Sequence, residues 1–414
     1  MTAAANKGAL AHLRVLDLSR ILAGPWASQL LGDLGAEVFK IERPGSGDDT
    51  RVWGPPFVRS SDGGTQNAAY FLCANRNKQS LAIDFTRPEG QALIRALVAQ
   101  CDVLIENFKV GGLAAYGLDY ASVRELNPRL VYCSITGFGQ TGPYAARPGY
   151  DFLVQAMGGL MSISGKPDGE PGAGPQKVGV AVTDILTGLY ATVGILAALA
   201  HCERTGEGQH IDVALLDVQV AALANQAANY LVGGKAPGRM GNSHPNIVPY
   251  QDFPTADGHM IVAVGNDAQF GQLCREAGCP ELASDARFAS NRDRVAHRQA
   301  LTTALEARTA LRPTAAWVAA LEAVGVPCGP INTLDQVFAD PQVQARGMRV
   351  DMPSGYSGKV PLVANPLHMS GTPPRYELPP PSLGAHTREV LASVLGLSEQ
   401  HIDALVRDGA IQEN

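Results

Sequence analysis

A chain of 414 residues is long enough for more than one domain, and a composition of 45% hydrophobic and 17% charged residues excludes a disordered protein. Its 45 glycines and 28 prolines fit a turn-rich globular fold, while a formal charge of −6 argues against a broad nucleic-acid surface, which needs clustered Lys and Arg. The opening MTAAANKGALAHL has neither the apolar core of a secretory signal nor the Arg-rich pattern of a transit peptide, so a cytoplasmic address is expected.

In chain order, LRVLDLS (13–19) reads as a buried strand, GPWASQLLGDLG (24–35) as a helix closed by Gly35, and AEVFKIE (36–42) as a second strand. KQSLAIDF (78–85), RPEGQALIRALVAQC (87–101) and DVLIENF (102–108) repeat strand, helix and strand, with Pro88 in the helix's first turn. A helix-like YASVRELNP follows, and LVYCSITGFG (130–139) adds a strand ending in a Gly-rich turn. This α/β alternation predicts an open parallel sheet covered by helices, with ligands at the carboxyl ends of the strands. The first strand–helix turn, SRILAGP, carries neither GxGxxG nor GxxxxGK[ST], so dinucleotide and P-loop readings fail. Without those glycines, Glu42 reads as an ordinary strand-end carboxylate rather than a ribose ligand.

A long helix and the strand GQHIDVALLD close the region 1–217, read as the large domain. The helix contains ILTGLYATVGILAALAHC, where Thr and Gly interrupt the apolar run, so a buried helix is expected rather than a membrane span. Residues 218–245 read as a linker helix and a Gly/Pro-rich loop, 246–329 as a smaller α+β domain opening on the strand pair YQDFPTADGHMIVAVG, and 330–365 as a return linker. A proline run and a further helix fall in 366–414. The seven cysteines, at 73, 101, 133, 202, 274, 279 and 328, lack CxxC spacing and read as free buried thiols. The nine histidines form no HxxxH or HxH pair, so no metal site is expected.

Asp184 stands alone ahead of the long apolar run. By residue type and place it is a helix cap, since an aspartate there satisfies free backbone N–H groups. The motifs VLDLSRILAGPWASQLLGDLGAEVFKIERPGSGDDTR, NRNKQSLAIDF, DVLIENFKVGGL, YCSITGFGQTGP, TGEGQHIDVALLD and GVPCGPIN, in this order, add a second reading. Together they resemble the family III CoA-transferases, the formyl-CoA transferase and carnitine-CoA transferase family, over nearly the whole chain. GDDTRVWGPPF, VAVTDILTGLYA, QAANYLVGG and NIVPYQDF are similar to its succinyl-CoA:glutarate branch.

The resemblance implies a Rossmann-like large domain, 1–217 completed by 366–414, plus the small domain, in an interlocked homodimer. It implies that Asp184 is a nucleophile, which suits a helix N-terminus because that end favours an ionised carboxylate. Coenzyme A would be carried from an acyl-CoA, succinyl-CoA first, to a small dicarboxylic acid such as glutarate, without a tightly bound cofactor, a metal, nucleic acid or a membrane. By matching positions, the CoA-binding residues would be Arg20, Ile21, Leu22, Ala23, Arg43, Ile83, Asp84, Phe85, Thr86, Asn107, Phe108, Lys109, Ile135, Thr136, Gly137 and Phe138. Arg43 also reads as a surface arginine. Gly137 and Gly139 would present N–H groups to an oxyanion, or form a plain tight turn. Trp53 and Tyr70 would shelter the acyl group or simply pack, and Arg51, Arg239 and His244 are candidates for a remote carboxylate or for surface and loop-structural roles.

Two positions depart from the family pattern: Ala115 stands where some members carry a phosphate-binding arginine, and Leu22 replaces a glutamine. The scaffold also carries α-methylacyl-CoA racemases, whose GHD motif is here GYD, Gly149-Tyr150-Asp151; a tyrosine of ordinary pKa about 10 is a poor base near neutrality. A third reading is a CoA-binding protein without catalysis, in which Asp184 only caps its helix.

Overall fold

Alternating strands and helices in the first half of the chain build the central sheet of the protein, seen in a computed structural model that describes residues 8–59, 65–355 and 357–414. Its strands in chain order are β1 (Arg14–Asp17), β2 (Glu37–Glu42), β3 (Phe57–Arg59), β4 (Thr65–Ala68), β5 (Gln79–Ile83), β6 (Val103–Glu106), β7 (Val131–Thr136) and β8 (His210–Ala214). They continue with β9 (Tyr250–Thr255), β10 (Gly258–Ala263), β11 (Cys328–Pro330), β12 (Arg349–Ser354), β13 (Gly358–Val363) and β14 (Ile411–Gln412). The α-helices up to residue 233 are α1 (Ala23–Asp33), α2 (Ala69–Leu72), α3 (Pro88–Val98), α4 (Tyr120–Val123), α5 (Asp151–Met157), α6 (Leu160–Ile163), α7 (Val182–Thr205), α8 (Leu215–Ala222) and α9 (Ala224–Gly233).

The central sheet has seven strands in the order β14-β5-β2-β1-β6-β7-β8. All pairs are parallel except the outermost, where β14 runs antiparallel to β5. The order steps one way from β1 through β2 to β5 and the other way through β6 to β8, so β1 and β6 flank the point where the direction of winding reverses. Loops after those two strands diverge there and leave a crevice at their carboxyl ends. Side chains alternate across the sheet: Val15, Val38, Val103 and Val131 face α1 and α7, while Leu16, Phe39, Leu81 and Leu104 face α3 and the C-terminal helices. Both faces are covered, which is why these strands read as continuous apolar runs.

α7 is long and apolar enough to cross a bilayer. Thr183, Thr187, Gly188, Ala191, Thr192, Ile195, Ala198 and Cys202 instead form its buried stripe, set against α1, β7 and β8. The stripe is narrow in side chain, and the helices approach closely: a Cβ on Gly188 would lie 2.7 Å from the Ala23 carbonyl oxygen.

Two units are separable. The first comprises 1–160, 178–228 and 344–414, and holds the seven-stranded sheet and a hairpin of β12 and β13 whose Met352, Val360 and Leu362 pack on Phe71 and Leu72. That hairpin lies within 330–365, where the sequence suggests only a return linker.

The second unit, 161–177 and 229–343, is an antiparallel sheet in the order β11-β10-β9 with helices packed on a core of Phe253, Met260, Phe270, Leu273 and Trp317. It is wider than the 246–329 read from composition. Residues 161–177 join it because Gly241 N–H donates to the Gly165 carbonyl at 3.0 Å and Arg239 Nε donates to the Lys166 carbonyl at 3.1 Å.

Candidate active site

The turn after β1 is the first wall of the site. Ile21 sits at φ 73°, a left-handed conformation that a β-branched residue adopts only when its surroundings hold it there. They do. Asn107, following β6, accepts the Arg20 N–H at 3.0 Å and donates back to the Arg20 carbonyl at 2.7 Å, while Asp48 Oδ1 accepts the Ile21 N–H at 3.3 Å. Asp48 is itself fixed by buried Lys40, whose Nζ reaches Asp48 Oδ2 at 2.9 Å and the Ser19 carbonyl at 3.0 Å. Burial pushes the Asp48 carboxyl up, but Lys40 and the Thr50 N–H outweigh it and hold the group at about 2, so it stays ionised.

Two cavities flank this turn. One, of about 360 Å³, is lined by Arg20, Arg43, Ile83, Asp84, Phe85, Thr86 and Phe108 among others. The other, of about 480 Å³, runs past Arg20, Ile21, Leu22, Ala23, Asn107, Phe108, Lys109, Ile135, Thr136 and Gly137 to Asp184. Arg20, Phe85, Thr86 and Phe108 belong to both linings. Phe85 meets Phe108 edge to face at 5.5 Å and Tyr116 at 5.5 Å, making an aromatic ridge between them. Phe138 is different: it is buried and packs against Tyr144, with the Arg147 guanidinium 5.2 Å from its ring. Arg43 is exposed at the rim of the first cavity.

Asp184 is the third residue of α7 and only part-buried, at the inner end of the larger cavity. It is not the helix cap. The cap position is Ala181, and the N–H groups of Thr183 and Asp184 point to Asp151 Oδ1 at 2.8 and 3.4 Å. No donor among the described residues hydrogen-bonds the Asp184 carboxylate. Burial first, and the Asp151 carboxylate second, raise it to about 7. Tyr70, pushed up to about 12 by burial and then by Asp184, therefore stands near it as a neutral phenol, and meets Trp53 edge to face at 5.4 Å.

The structure corrects two candidates. Arg51 is buried: Nε and one terminal nitrogen grip Glu42 at 2.8 and 2.6 Å, the other donates to Asn67 at 2.7 Å and the Pro381 carbonyl at 2.9 Å, and Phe71 lies beneath it. With its donors so occupied, it is a structural cation and not a substrate ligand. Gly139 spends its N–H on Thr136 Oγ1 at 2.9 Å, at φ 89°, and is a turn residue rather than an oxyanion donor. Gly137 lines the cavity and must be glycine, since a Cβ there would lie 2.5 Å from the Cα of Gly149.

Arg239 and His244 lie in the second unit. Arg239 pairs with Asp168, and His244 accepts the Asn246 N–H at 3.1 Å beside the Tyr250 ring.

Asp48, Arg147 and Asp151 were not found from the sequence. Arg147 lines the cavity of Asp184 with its guanidinium 4.6 Å from the Tyr144 ring. Asp48 and Asp151 serve N–H groups at Ile21 and Thr183, distant along the chain, so no local pattern marks that role.

Residues 10–387 match the family model described as CoA-transferase family III. The chain is 55% identical over 389 residues to a succinate–glutarate CoA-transferase of Agrobacterium fabrum, covering 94% of this chain and 96% of the relative. It is 45% identical over 405 residues to a succinyl-CoA:glutarate CoA-transferase of Mus musculus, covering 98% and 91%. A crystal structure of a CAIB/BAIF family protein from Brucella suis superimposes with a TM-score of 0.83 at 52% identity, covering 94% of this chain and 100% of that one.

Proposed function

Because the chain belongs to CoA-transferase family III, we propose that it carries coenzyme A from succinyl-CoA to glutarate, with the Asp184 carboxylate as the acyl acceptor. The observation that carries this role is a carboxylate without a hydrogen-bonding partner among the described residues, at the end of a cavity that continues to the turn at Arg20. In the first step an Asp184 oxygen attacks the thioester carbonyl, the carbon–sulfur bond breaks, and the thiolate leaves behind an aspartyl–succinyl anhydride. The thiolate then attacks the Asp184 carbonyl carbon and expels succinate, giving an aspartyl thioester. Glutarate attacks that thioester to form an aspartyl–glutaryl anhydride, and the returning thiolate takes the glutaryl group, restoring the carboxylate. Each intermediate keeps the acyl activation, so one difficult exchange becomes several easier transfers. The two cavities suit a long ligand with charged and apolar parts, with Arg20, Arg43, Lys109 and Arg147 as cations for its phosphates.

Replacing Asp184 by Ala is expected to abolish exchange while CoA binding persists. Hydroxylamine is expected to convert Asp184 to a hydroxamate, read by mass spectrometry, only after acyl-CoA is added. Near-normal turnover by D184A would overturn the mechanism. The acceptor is tested by competition among C2 to C8 mono- and dicarboxylic acids with succinyl-CoA as donor.

The proposal extends to an interlocked homodimer located in the cytoplasm. Supporting it, α7 leaves Leu189, Tyr190 and Val193 exposed at 42%, 53% and 65% on its outer side, an apolar surface suited to a second chain.

A further inference from the structure

We infer that Asp151 is a positioning residue for Asp184: by capping α7 from outside the helix, its carboxylate leaves the Asp184 carboxylate facing the cavity instead of its own helix terminus. This rests on the assignment of Asp184 as the acyl acceptor.

The first turn of an α-helix carries N–H groups with no partner inside the helix. A side chain at the cap normally takes one of them, but Ala181 has no acceptor to offer. An acidic residue at the third position is then well placed to fold back on the free donors, as in a capping box. In α7 the N–H groups of the first three residues are already engaged. Val182 N–H donates to the Val180 carbonyl at 2.8 Å, and Thr183 N–H to Asp151 Oδ1 at 2.8 Å, with Asp184 N–H 3.4 Å from the same oxygen. The N–H groups of the helix's first three residues therefore do not draw the Asp184 side chain back.

Asp151 is itself held. Gln155, fully buried one turn further along α5, donates to Asp151 Oδ2 at 2.7 Å and accepts the Val178 N–H at 2.9 Å. Thr183 Oγ1 donates to buried Gln219 on α8 at 2.7 Å. Three helices and the approach to α7 thus converge on the start of α7.

The same arrangement sets two carboxylates side by side, and Asp151 adds to burial in raising Asp184. Of the other titratable groups, Tyr70 from α2 feels the Asp184 charge, while Arg20 and Lys109 after β1 and β6, and Arg147 and Tyr150 ahead of α5, line the cavity that ends at Asp184. A carboxylate that ionises near 7 is more basic, and so more nucleophilic, than an ordinary aspartate.

Two variants separate position from charge. D151N keeps an oxygen for the Thr183 N–H but removes the charge and the acceptor for Gln155 Nε2, whereas D151A removes all three. In wild-type enzyme kcat/KM for acyl-CoA is expected to rise with pH through about 7. In D151N that limb should move to lower pH by about one unit, with CoA affinity by calorimetry unchanged. D151A should lose about 10²-fold in kcat with little change in KM, and D151N should retain more of kcat than D151A. An unmoved limb in D151N would overturn the inference even if D151A failed to fold. D184A distinguishes the underlying assignment, since retained exchange in that variant would remove the nucleophile and this role together.

Discussion

A side chain that folding makes harder to ionise marks stability as well as rate. Asp184 is raised to about 7 by burial and by Asp151, so between the ordinary aspartate value of about 4 and 7 the native state holds a proton that the unfolded chain has released. Its contribution is fully present below the unfolded value, declines as pH rises through that window, and is lost above it. Asp184→Asn removes this dependence. The variant's thermal midpoint is therefore expected to gain on wild type between about pH 4 and 7 and to hold its lead above, by about 1–2 kcal/mol in stability. A constant difference across that range would contradict the placement of the carboxylate. Arg51 shows the limit of residue type as a guide. An arginine near active-site motifs looks available to a substrate carboxylate, but partners at 42, 67 and 381 claim its donors, and none of them can be read from the residues beside it.

At the scale of elements, the position of Asp184 depends on how closely α7 approaches α1. Asp184 and Gly188 are one turn apart on the same side of α7, and Gly188 stands against the Ala23 carbonyl and Trp26. Gly188→Ala places a Cβ 2.7 Å from backbone oxygen, so the helices must part. We expect a loss of about 1–3 kcal/mol in thermal denaturation together with a fall in kcat, because Asp184 moves with its helix. Unchanged rate and stability would mean that the spacing is not fixed there. Much of this framework was legible: β1, α1, β2, β5, α3 and β6 follow from apolar period and Pro88, and α7 from its long apolar run. The external cap on α7 was not, because Asp151 lies some thirty residues before the N–H groups it serves. β14, with two residues, was too short to show any period.

For the whole molecule, the exposed Leu189, Tyr190 and Val193 lead to a measurable expectation. Light scattering should give twice the mass of one chain at concentrations where exchange is measured, and Val193→Asp should lower that mass and the activity together. An active single chain would contradict the dimer.

The antiparallel edge of the sheet bears on how the protein is made. β5 pairs with β2, which precedes it in the chain, but its other neighbour, β14, comes from residues 411–412. At roughly 5–20 residues per second, the ribosome leaves that flank of β5 without its partner strand for tens of seconds. An unpaired edge is a template for the strands of other chains. Biosynthesis of this enzyme therefore has a vulnerable interval, in which a chaperone that shields strand edges would raise the yield of soluble protein without altering the finished enzyme.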